Sequence, residues 1–149
     1  MNGSTKKPKY EIPTMEEIEK LDKNGYKVIS TFSGCGGSSL GYKLAGYKVL
    51  WANEFINAAA ETYKANHKNT ILNQKDIRDL TPEDILKEAG LKKGELDIFD
   101  GSPPCANFSI SGKREKHWGK VKEYSDTKQR SDDLFLEYIR ILRGIKPKV

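Results

Sequence analysis

A glycine-rich turn wedged between a strand and a helix does most to limit what this chain can become. YKVISTF (26–32) is the short apolar run of a buried strand, bounded by Gly25 and Gly34. FSGCGGSSLG (32–41) follows, and SSLGYKLAG (38–46) starts a helix that Gly46 ends. Glycines at such a junction let the backbone reverse sharply and approach a ligand closely. A phosphate loop would carry Gly-Lys-Ser or Gly-Lys-Thr, and neither is present. The dinucleotide pattern G-x-G-x-x-G is also missed: Ser39 stands where the third glycine belongs, with Gly37 and Gly41 nearby. An ordinary tight turn is the plainer alternative.

The alternation recurs downstream. YKVLWANEF (47–55) reads as a second strand, and NAAAETYKANH (57–67) as a helix capped by Asn57. TILNQKDI (70–77) is a short third strand and turn. TPEDILKEAG (81–90) is a helix with Thr81 as cap and Pro82 in the first helical position. ELDIFDG (95–101) is a fourth strand. SDDLFLEYIRILRGIKP (131–147) is a last helix, with Ser131 or Asp132 as cap and Leu134, Tyr138, Ile141 and Leu142 on one face. This order predicts an α/β fold, a Rossmann-like doubly wound parallel sheet. GIKPKV (144–149) reads as the entry to a fifth strand, so the sheet is expected to be incomplete at the C-terminal end. Either a fragment or a second polypeptide supplying the missing half accounts for that. Residues 1–25 form a polar arm, with a short helix expected between Thr14 and Gly25.

Charge narrows the partners. The formal net charge of +5 favours an anionic partner, nucleic acid first. Residues 113–130 hold seven Lys or Arg against three acids, within a stretch (101–130) of little periodicity that reads as a functional loop. No long apolar run suggests a membrane span, and the start MNGSTKKPKY is not a signal peptide. Cys35 and Cys105 are spaced neither as a metal pair nor as a disulfide framework. A reducing, cytoplasmic setting is expected, nucleoid-associated in a bacterium.

Three strand ends carry adenosine-type contacts. An acid at the end of the second strand accepts hydrogen bonds from ribose hydroxyls, which nominates Glu54, with Phe55 to lie on an adenine. At the third, Asp76 suits an exocyclic amine and Ile77 the ring face. A surface glutamate beside a core phenylalanine is the plainer reading of the first pair. The fourth strand runs into DGSPPCANFSISGK (100–113), which puts Cys105 beside the same carboxyl-end crevice. Pro103 and Pro104 stiffen the approach. A thiol there suits a nucleophile, its pKa lowered by the basic loop; a core thiol is the alternative. Cys35 reads as a small filler of the turn. Zinc deaminases on nucleic acids use H-x-E and P-C-x-x-C; Phe108 occupies the second cysteine position, and neither His67 nor His117 begins H-x-E, so no metal is expected.

STFSGCGGSSLG, NEF, DI and DGSPPCANFSISGK together resemble the first four ordered motifs of the DNA (cytosine-5)-methyltransferases, and residues 131–149 resemble the helix after their catalytic loop. The resemblance spans residues 27–149, so 26–149 would be the N-terminal part of a catalytic domain of the S-adenosylmethionine-dependent type, with a catalytic loop at about 101–130. It implies S-adenosylmethionine as methyl donor and DNA as partner. Phe32, Ser33, Gly34 and Gly36 would line the donor's methionine side, Glu54 the ribose, and Phe55, Asp76 and Ile77 the adenine. Asp97 and Pro104 would close the site, Cys105 would add to cytosine C6, and Ser109, Ser111, Lys113 and Arg114 would contact DNA. The sequence departs from the family's usual pattern at Ser30, where an acid is expected, and at Ala106, where glutamine is. The family's Glu-Asn-Val motif would lie beyond Val149, as would target recognition. A non-catalytic donor- or DNA-binding module, or a relative acting on RNA, are the competing readings.

Overall fold

The computed structural model describes residues 13–104, 122–124, 127–129 and 133–149. A helix α1 (Met15–Glu19) precedes β1 (Lys27–Thr31), α2 (Gly37–Leu44), β2 (Lys48–Asn53), α3 (Asn57–Asn66) and β3 (Ile71–Asn73). A 3-10 turn (Ile77–Asp79), α4 (Pro82–Glu88) and β4 (Ile98–Gly101) follow. Beyond them lie the short strands β5 (Lys122–Tyr124) and β6 (Thr127–Gln129), then α5 (Leu134–Ile145).

The four main strands pair in the order β3-β2-β1-β4, all parallel. The direction of winding reverses beside β1, and ligands bind α/β sheets at the carboxyl ends of the strands at such a point. The expected fifth strand begins as read: Val149 N–H donates to Asp97 O and Phe99 N–H to Val149 O, each at 2.9 Å. That is a parallel bridge on the outer edge of β4. Within the stretch read as a loop, β5 and β6 pair antiparallel with Glu123 opposite Lys128. Three-residue strands are too short to declare themselves by alternation.

Local chemistry explains most helix boundaries. Thr14 caps α1 in a reciprocal box: its Oγ1 accepts from Glu17 N–H, and Glu17 Oε2 accepts from Thr14 N–H. The helix stops at Glu19, short of Gly25. Thr81 Oγ1 accepts from Asp84 N–H, with Pro82 following as expected. Asn57 is the first residue of α3 rather than its cap, a place taken by Ile56. The cap of α5 is Asp133, not Ser131 or Asp132, and its carboxylate turns instead to Arg78.

The main core joins Ile29, Trp51 and Phe99 of three strands to Ile85 and Leu86 of α4 and to Leu134, Ile141 and Ile145 of α5. Gly144 lets α5 lie directly on Pro82, since a Cβ there would sit 2.2 Å from the ring. Among the described residues no helix is long and apolar enough to cross a membrane. Trp51 is fully buried, and its Nε1 donates to Glu88 Oε2 at 2.7 Å. Trp51→Ala is expected to cost about 3–5 kcal/mol, read as a lowered urea midpoint. Trp51→Phe, which keeps an aromatic ring and loses the donor, is expected to cost about 1–3 kcal/mol.

Candidate functional site

Four parallel strands deliver their carboxyl ends to one rim. Immediately after β1, Phe32 takes a left-handed conformation, φ 51°. A bulky residue there is strained, and such strain persists where surrounding contacts fix it. The turn is held to the next strand end by Ser33, whose N–H and Oγ both donate to Asn53 O, at 3.1 and 3.2 Å. Gly34 N–H then donates to Glu54 Oε2 at 2.8 Å. Gly36 caps α2 at φ 94°, a conformation few L side chains adopt.

Glu54 ties the rim together. It is 8% exposed. Its second oxygen, Oε1, accepts from Ile56 N–H at 2.8 Å, at the entry to α3. One carboxylate therefore joins the glycine turn after β1 to the helix after β2. Each oxygen keeps acceptor capacity beyond these bonds. Asn53, buried beside it, donates from Nδ2 to Asn73 O and Lys75 O, at 3.1 and 2.9 Å. That pins the end of β3 to the end of β2.

Phe32, Asn53, Glu54, Phe55, Ile56, Ile77, Ser102 and Pro104 line a cleft of about 150 Å³ over this rim. The residues anticipated for ribose, adenine and closure, namely Glu54, Phe55, Ile77 and Pro104, meet there with Phe32. Ser33, Gly34 and Gly36 shape the turn beneath the cleft rather than lining it. Asp76 stands one residue outside it. Its Oδ1 accepts from Arg78 N–H and its Oδ2 from Arg78 Nη1, at 3.0 and 2.7 Å. Arg78 also donates to both oxygens of Asp133, at 3.0 and 2.6 Å, which fastens this corner to α5. The Asp133 hydrogen bond, ahead of the neighbouring Asp76 charge, pushes the guanidinium pKa still higher.

Asp97 requires a correction. It precedes β4, at the opposite end of the parallel sheet from the cleft. Its Oδ2 accepts from Lys27 N–H at 2.8 Å and its Oδ1 from Lys148 Nζ at 2.7 Å. Lys148 first, then the Lys27 backbone, hold its carboxyl below the usual range. Asp97 clamps strand starts, away from the cleft. The acid at the carboxyl end of β4 is Asp100, whose Oδ2 accepts from Ser30 Oγ at 3.1 Å. Ser30, where an acid was expected, thus has a carboxylate from the neighbouring strand beside it.

Cys105 and the loop residues Ser109, Ser111, Lys113 and Arg114 lie outside the described residues. Cys35 is exposed rather than packed as filler. Asn53, Ile56 and Ser102 escaped the sequence reading. The signal for Asn53 was its place before Glu54 in WANEF, where a buried amide can join two strand ends; the other two carry none.

The sequence profile of the family described as C-5 cytosine-specific DNA methylase matches residues 26–149. The chain is 38% identical over 134 residues to the type II methyltransferase M.NgoPII of Neisseria gonorrhoeae, across 90% of this chain and 34% of that protein. It is 37% identical over 122 residues to the type II methyltransferase M.FnuDI of Fusobacterium nucleatum, across 82% of this chain and 30% of that protein. A solved E. coli structure, described as a prophage-encoded DNA modification methyltransferase, superposes with a TM-score of 0.62 at 27% identity, over 83% of this chain and 30% of that one. The chain thus spans about a third of the length of the curated relatives it matches. With the glycine turn, the acid at the second strand end and the Pro-Pro-Cys approach in their expected order along one sheet, and with the profile match running from β1 to Val149, this chain belongs to the C-5 cytosine-specific DNA methylase family.

Proposed function

We propose that this chain is the donor-binding and nucleophile-bearing part of a DNA cytosine-5 methyltransferase that uses S-adenosylmethionine. The observation that carries the reading is Glu54: a carboxylate fixed by two backbone N–H groups, with acceptor capacity left over, between apolar walls of Phe32, Phe55 and Ile77. That donor set fits a nucleoside, with the carboxylate for ribose hydroxyls and the flanking rings and aliphatic face for a purine. When bound, S-adenosylmethionine supplies an electrophilic methyl group on sulfur.

This chain's residues do the rest. Ser102 and Pro104, on the cleft wall, lead directly to Cys105 in sequence. The Cys105 thiolate adds to C6 of a cytosine flipped out of the duplex, which places electron density on C5. C5 would then gain the methyl group as the donor's S–CH3 bond breaks and a neutral thioether leaves; loss of the C5 proton to a base and expulsion of the thiolate would re-form the C5–C6 double bond. Lys113 and Arg114 neutralise phosphates while the basic segment covers the base. The Glu-Asn-Val motif and target recognition come from a further C-terminal portion, in the same chain or in a second polypeptide. Phe135 and Leu136, exposed on α5, give such a portion apolar surface to cover.

The test is titration of the 149-residue chain with S-adenosylmethionine in a calorimeter, followed by methyl-group counting on DNA and on RNA once the C-terminal portion is added. Saturable donor binding and label in DNA are expected. A chain that binds no donor, with and without that portion, would sink the reading. Label in RNA alone would reassign the substrate.

A further inference from the structure

One buried titratable side chain is used by none of this chemistry. His67, at the C-terminal end of α3, is 3% exposed. Its ring packs against Tyr63 with centroids 4.4 Å apart. Its Nε2 edge faces Gly36 so closely that a Cβ added there would lie 2.1 Å from that nitrogen. The Gly36 backbone lies against this edge of the ring and favours its protonated form. Nδ1 is buried and has no partner among the described residues. A neutral ring with its proton on Nε2, the edge toward the Gly36 backbone, leaves the partnerless Nδ1 as a lone pair rather than a stranded donor. One turn earlier in α3, the Tyr63 hydroxyl meets Ser39 Oγ of α2 at 2.8 Å. The end of α3 therefore holds the first turn of α2, and with it the glycine turn that bears Phe32 and Gly34.

We propose that His67 is a positioning residue for the donor site: its neutral imidazole, wedged beneath Gly36, sets the glycine turn so that Phe32 and Gly34 meet the cleft and Glu54. The proposal rests on the donor-binding reading above. The groups facing the ring are Lys43 of α2, Glu19 of α1 and Tyr63 of α3, with exposed Cys35 lining the adjoining cavity. Lys43 is 3% exposed and pairs with Glu19 at 2.5 Å. A second proton on His67 would put an unpaired N–H at Nδ1 and a new cation near Lys43. Burial first, then Lys43, hold the imidazole below its ordinary value, against the opposing Gly36 backbone and Glu19.

The sign follows. The unfolded chain takes up this proton first, near the ordinary histidine value of about 6.5. Stability from the neutral ring is complete above that value. It is lost as pH falls from there through the lower folded-state value.

Two measurements on the full chain test the proposal. In the donor-free protein, amide resonances of Gly34 and Gly36 are expected to shift with the midpoint of the His67 imidazole, below about pH 6.5. Amides that stay still through that titration would overturn it. In calorimetry, His67→Phe is expected to weaken S-adenosylmethionine about tenfold, while His67→Gln, which keeps an N–H for the Gly36 backbone, stays within about threefold. Wild-type affinity in His67→Phe would also overturn it. If wild-type protein binds no donor, the functional reading fails by itself, and the amide titration still decides whether His67 governs the turn.

Discussion

Cys105→Ser is expected to leave S-adenosylmethionine binding within about twofold of wild type while abolishing covalent capture of DNA containing 5-fluorocytosine. The first half follows from the cleft, which is lined as far as Pro104 by residues the substitution does not touch. The second follows from chemistry. Fluorine at C5 cannot leave as a proton does, so the adduct between thiolate and C6 is trapped once the methyl group has moved. A serine hydroxyl is a far weaker nucleophile than a thiolate at neutral pH, and it gains little from the cationic neighbourhood that lowers a thiol's pKa. The assay needs the C-terminal portion present, with adducts counted on a denaturing gel. Undiminished trapping in Cys105→Ser would move the nucleophile elsewhere. Loss of donor binding and of trapping together would mean that Cys105 supports the fold of the cleft instead.

The sheet was legible because each strand is a short apolar run ended by glycine, acid or proline, and each connection except the last is short. Thr14 and Thr81 announced their helices because a hydroxyl that accepts a backbone N–H is a local event. Glu54, Phe55 and Ile77 were found for a similar reason: parallel strands all point their carboxyl ends at the same rim. Asp97 was misplaced because the family pattern marks an acid in ELDIFDG, while only the sheet register tells a strand's start from its end. Asp97 and Gly101 are four positions apart, enough to carry a side chain across the sheet. The Ser30–Asp100 bond was invisible for the opposite reason, since it joins residues 70 apart. His67 had no sequence signal at all. Its close approach to Gly36 exists only once α3 lies on α2.

Glu54→Ala should be the most damaging single change to donor binding, at least about a hundredfold in Kd, because one side chain serves three partners. Two are in the protein already: Gly34 N–H and Ile56 N–H, both at 2.8 Å. Alanine orphans both donors in a site where the replaced residue is 8% exposed, and a lost bond to a charged acceptor costs about 1.5–3 kcal/mol. The third, in the function proposed here, would be the donor's ribose. Loosening the turn also releases Phe32 from its left-handed conformation, so the wall opposite Phe55 and Ile77 shifts as the acceptor disappears. Glu54→Gln separates these effects. Its single oxygen can accept from Gly34 or from Ile56, but its amide nitrogen can only donate, so one backbone donor is still stranded. An intermediate loss of affinity, with a smaller drop in melting temperature than alanine gives, is therefore expected. Calorimetry with S-adenosylmethionine and thermal unfolding read the two quantities separately. If Glu54→Ala melts early yet binds the donor as wild type does, the carboxylate only braces the rim, and the ribose must be held by another group on the cleft wall, Asn53 or Ser102.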